Sequence, residues 1–152
     1  MNSKLKPVEE ALAEVPVLDI HTHLVGGKLG ARGLHDILLY HMVVSDLYAA
    51  GCPNGARLTQ FPAWPDPTEA RQRIEEALPF LPAIQNTSSF WGVRLILRDL
   101  YGWNEAITAS SWRKLDALVR ERADDRAWHH SHFQDAGARN GKTPYRRSKQ
   151  IR

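Results

Sequence analysis

Hydrophobic and polar positions follow two different periods along this chain. Across Val17-Leu18-Asp19-Ile20-His21-Thr22-His23-Leu24 the period is two. Successive side chains of a strand point to opposite faces, so Asp19, His21 and His23 share one face and Leu18, Ile20 and Thr22 the other. Elsewhere apolar residues return every three or four positions, the period of a helix packed on one side. A first helix opens at Pro7 and stops at Val15-Pro16, because the residue before proline avoids the helical region. From Leu34 to Ala50 the stripe Leu34, Ile37, Leu38, His41, Val44, Leu47, Tyr48 predicts one helix, ended by Gly51. Asp66-Pro67-Thr68-Glu69 is a strong helix start, and that helix runs to about Leu78, before Pro79 and Pro82.

Asn86 or Thr87 caps the next helix, Ser88 to Leu100, which stops near Gly102. Apolar residues over much of its circumference predict a central, buried helix. Thr108-Ala109-Ser110-Ser111 caps another, with Trp112, Leu115, Leu118 and Val119 on one face. A last helix starts at Asp124 or Asp125 and passes Trp128 to about Ala136, before Gly137. The expected fold class is therefore mostly α, with one N-terminal strand followed by a helical region over residues 1–137. One strand cannot satisfy its own backbone hydrogen bonds, so either a partner strand goes unrecognised in this sequence or the rest of the sheet lies outside this chain.

Composition changes the picture in three places. At 152 residues and 43% hydrophobic, the chain can bury one core. It is too short for a complete eight-stranded α/β barrel, which takes at least ~200 residues. No apolar run approaches a membrane span, no signal peptide is evident, and the single Cys52 allows no internal disulfide, so a cytoplasmic location is expected. The net charge of +3 resides in the tail: beyond Asp135 lie six basic residues and no acid, which leaves 14 basic against 17 acidic residues, a net of −3, in the body. The body thus gives no reason to expect a nucleic-acid partner. Residues 138–152, charged and without periodicity, read as a basic, disordered tail.

The candidate chemistry centres on His21 and His23. Two imidazoles at adjacent same-face positions can hold one divalent metal, but they are only part of a ligand set. Asp19, on the same face, can fix an imidazole tautomer or hydrogen-bond a neighbouring backbone. Gly26 to Gly33 is expected to be a mobile connection, since it lacks phosphate- or dinucleotide-binding spacing. His35 and His41 share the helix that follows, and His41 on its apolar stripe would ordinarily be a core or rim residue. Arg94 and Arg98 can bind a carboxylate, yet pairing with acids such as Asp99 or Glu105 is the expectation. His129 and His132 lack the carboxylate or cysteine pattern typical of zinc.

The segment Asp19-Ile20-His21-Thr22-His23-Leu24 resembles the first barrel strand of the amidohydrolase superfamily. Tyr40-His41, Asn86-Thr87 through Leu100-Tyr101-Gly102-Trp103, and Ile107-Thr108-Ala109-Ser110-Ser111-Trp112 are similar to the uronate (glucuronate) isomerases, over roughly residues 7–137. The resemblance implies a metal-dependent (β/α)8 barrel with a helical region inserted after its first strand, incomplete here. It implies aldose–ketose isomerisation of a hexuronate through an enediol, of the glucuronate-to-fructuronate type. It also implies a divalent metal, zinc by expectation, held by His21 and His23 and by an aspartate of the last strand.

By the same resemblance His41 lies near substrate. The tyrosine that usually follows it is replaced by Met42, which cannot donate a hydrogen bond. After Gly137 the family continues into its second strand, whereas this chain gives the basic tail. The general base is expected outside the chain, which is read as a truncated or frameshifted product inactive alone, or one that associates with the missing barrel portion or with itself. The alternatives are a metal-dependent hydrolase of the same superfamily and a non-catalytic helical interaction module.

Overall fold

The computed structural model describes residues 7, 10, 11, 30–58, 66–129 and 131. The chain divides into two units, Met1–His23 with Arg126–Arg152, and Leu24–Asp125. In the first unit every described residue is helical, namely 7, 10, 11, 126–129 and 131, which agrees with the helices expected from Pro7 and after Asp125. The strand expected over residues 17–24 and the tail over 138–152 lie outside the described residues. Among the described residues the protein is mostly helical and contains no strand. Among the described residues no helix is long and apolar enough to cross a membrane.

The second unit is built from α1 (Leu34–Leu38), α2 (His41–Ala49), α3 (Gly55–Leu58), α4 (Pro67–Ala77), α5 (Ser88–Tyr101) and α6 (Trp112–Arg122). A 3-10 stretch, Leu78–Ile84, continues directly from α4. The α-helix stops before Pro79 and Pro82, as expected, and the chain tightens into the 3-10 stretch, which buries Leu81 and Ile84. The short α1 packs against α4, α5 and α6, while α2 packs against α3, α5 and the 3-10 stretch. Leu34 and Leu38 of α1, Leu47 of α2, Ile74 of α4 and Leu115 and Val119 of α6 are fully buried in the common core.

The strongest helix starts are those carried by side chains. Asp66 caps α4, its Oδ1 accepting from Thr68 N at 2.7 Å and Glu69 N at 3.3 Å, with Pro67 at the first helical position. Thr87 caps α5 through its hydroxyl oxygen, which accepts from Phe90 N at 3.3 Å. α5 ends at Gly102, whose φ of 67° lies in the left-handed region. Its N–H donates to the Arg98 carbonyl at 3.1 Å and that of Trp103 to the Leu97 carbonyl at 2.9 Å.

Two glycines of α5 give a pair of opposed expectations. At Gly102 an added Cβ meets nothing within 4 Å, so Gly102→Ala carries only the left-handed backbone cost, about 1 kcal/mol destabilising. Gly92 lies inside α5 and is equally uncrowded, so Gly92→Ala should stabilise by about 0.5–1 kcal/mol. Urea melts followed by circular dichroism should move in opposite directions for the two variants. A shift of the same sign in both would refute the assignment.

Two expectations about helices are corrected. The single helix over Leu34–Ala50 is two, divided at Leu39 and Tyr40, where Tyr40 is extended at φ −63°, ψ 143°. The break resets the helical phase: α2 buries Val43, Val44 and Leu47 and leaves His41 and Tyr48 exposed. One continuous helix would instead have carried His41 on the buried stripe. Nor is α5 buried all round. Phe90, Val93 and Leu97 face the core, while Trp91, Ile96 and Leu100 are exposed.

Candidate functional site

A group of ionisable side chains stands at the start of α1. This helix has only five residues, and its N-cap, Gly33, is extended and offers no side-chain cap. The missing acceptor comes from α6. Asp116 Oδ1 accepts from Leu34 N at 3.0 Å, across 82 positions of sequence. Asp116 Oδ2 accepts from Arg120 Nε at 2.8 Å and Arg71 Nε at 3.3 Å. One buried carboxylate therefore joins α1, α4 and α6.

A second carboxylate completes the group. Asp36 Oδ2 accepts from the Arg32 backbone N and from Arg32 Nε, both at 2.8 Å, and its Oδ1 accepts from Arg32 Nη2 at 2.6 Å. The buried His35 imidazole places Nε2 3.3 Å from Asp36 Oδ1. Gly33 lies between these groups. A Cβ there would stand 3.0 Å from both Arg120 Cζ and His35 Nδ1, so the close approach explains glycine at this position.

Charge and burial compete at each member. Burial acts to raise the Asp116 carboxyl, but the hydrogen bonds from Arg120, Leu34 and Arg71 and the Arg120 charge outweigh it and hold it below the usual range. Burial likewise opposes, and the bonds from Arg32 overcome, for Asp36. Burial lowers the His35 imidazole, assisted by Arg32 and Arg120 and resisted by Asp36. Burial, with the nearby Asp36 charge, pushes the Tyr101 phenol up to about 12.

A two-stage response to acid follows. His35 is held neutral in the fold against an ordinary value of 6.5, so the released chain takes up a proton first. Stability should be complete above about pH 6.5 and decline as pH falls from there towards the lowered folded value. The carboxylates act lower: their contribution is present above 3.8 and is lost as pH falls below it. Urea midpoints measured from pH 7.5 to 3 should show both declines, and His35→Gln should remove the upper one alone. An unchanged upper decline in that variant would assign it to another histidine.

Both carboxylates are engaged by guanidinium and backbone donors, and together they anchor the segment entering α1. His21, His23 and Asp19 lie outside the described residues, as does His132. His41 is exposed at the start of α2, with its ring 4.1 Å from that of Tyr40, and Met42 beside it is 52% exposed. Arg98 pairs with Asp99 at 2.6 and 3.0 Å, as the rim-acid expectation has it, and Arg94 is exposed. His129, in the other unit, is buried and meets Trp128 edge-on. Among the described residues no group of three or more His, Cys, Asp or Glu is placed to hold a metal ion.

An open cleft of about 310 Å³ lies between α3 and α4, lined by polar groups such as Arg57, Glu69, Gln72 and Glu76. Its walls are tied together by Asn54, which donates to Glu76 at 3.1 Å, and by Arg73, which donates to the Arg57 carbonyl and to Glu69. It contains none of the residues singled out from sequence. Sequence reasoning also missed Asp116. The available signal was its position on the apolar stripe Trp112, Leu115, Asp116, Val119, where an acid requires a partner.

No family model, curated protein or solved structure matches this chain.

Proposed function

We propose that this chain is the N-terminal strand and helical region of a uronate isomerase-like metalloenzyme, acting on a hexuronate by aldose–ketose isomerisation. The observation that carries this reading is the alternating sequence Asp19-Ile20-His21-Thr22-His23 in a chain whose described residues are mostly helical. The donor set fits a borderline divalent ion such as zinc: two neutral imidazoles at i and i+2 supply half of a four-ligand shell. When bound, the metal supplies a Lewis acid for oxyanion charge developing on the sugar.

The chain's own residues contribute around that centre. His21 and His23 would hold the ion, and Asp19 would either fix the tautomer of one imidazole or hydrogen-bond a neighbouring backbone. His41, exposed on α2, is free of the core and offers an imidazole to a substrate hydroxyl. Met42 adds apolar surface beside it and no donor, which separates this chain from the His-Tyr pattern of the isomerases it resembles. Moving the proton between C1 and C2 requires a base from residues beyond those proposed here, so the chain alone should not turn over a hexuronate.

Zinc titration by calorimetry tests this reading. One equivalent bound by the full chain and lost in the His21→Ala/His23→Ala variant is the expected result. The exposed Trp91, Tyr48 and Met42 favour a second reading, a non-catalytic helical module that docks a partner. Zinc uptake indifferent to both histidines, or none in the micromolar range, would favour that module. A metal-dependent hydrolase of the same superfamily would share the zinc result and differ by hydrolysing an amide or ester once complete.

A further inference from the structure

We draw no further inference here: the strongest candidate, the exposed apolar side chains Trp91, Ile96 and Leu100 on α5 together with Met42 and Tyr48 on α2, carries nothing, because nothing in the structure shows what covers them.

Discussion

Asp116→Ala is expected to lower the unfolding free energy by about 3–5 kcal/mol, the usual cost of removing one member of a buried charged pair. The side chain is 1% exposed, and its loss leaves the Leu34 N–H and the Arg120 guanidinium facing a cavity. The Arg71 contact adds little to that figure, because Arg71 is 51% exposed and water screens it. Asp116→Asn should cost less, since an amide oxygen can still accept from Leu34 while the charge opposite Arg120 is gone. Urea unfolding followed by circular dichroism measures both. A loss below about 1 kcal/mol for the alanine variant would mean that α1 does not depend on its remote cap. For a domain of this size, total stability is commonly 5–15 kcal/mol, so the alanine variant should stand near the edge of folding.

Trp112→Ala is expected to be as severe, about 3–5 kcal/mol, for a different reason. Trp112 is 1% exposed and is the largest of the fully buried side chains. It opens α6 four residues before Asp116, so its ring and the carboxylate fix the same end of that helix. The Arg113 guanidinium lies 4.8 Å from the ring centroid and adds a cation–π contact at an exposed site. Truncation removes the ring and leaves a void that the core fills only in part. Trp112→Phe keeps most of the volume and should recover more than half of the loss. Circular dichroism is the suitable probe, because the substitution alters the fluorescence itself. Equal effects from phenylalanine and alanine would point to the indole N–H rather than to packing.

How much of this was legible beforehand depends on where the forces are local. α4 and α5 were read with their caps, because Asp66, Pro67, Thr87 and Gly102 act on residues within one turn of themselves. The division of Leu34–Ala50 was not read, since no glycine or proline marks Leu39-Tyr40. There the core decides, rotating α2 to bury Val43, Val44 and Leu47. The same rotation explains why His41, assigned to an apolar stripe, stands in solvent.

The exposed Trp91 and Leu100 show the converse error. Hydrophobic residues at many positions of a helix state what it can bury, and its neighbours determine which side is used. Of the candidate site, the position of His41 and the Arg98–Asp99 pair could be compared with expectation, and the proposed metal ligands His21 and His23, outside the described residues, could not. The charged group around Asp116 was illegible for a physical reason: its members come from α1, α4, α6 and the segment before α1, and only the fold brings them together.

The long reach of that cap has a consequence for how the protein is born. A five-residue helix cannot hold itself together in water, because its first turn fixes about six dihedrals for one hydrogen bond and few further bonds follow to offset that cost. α1 therefore waits for Asp116, which leaves the ribosome 82 residues after Leu34. At about 5–20 residues per second, the delay is roughly 4–16 s. Throughout it, Leu34, Ile37 and Leu38 have no completed core to enter. The nascent chain should be most open to chaperone capture in that interval, and its release should coincide with the emergence of α6.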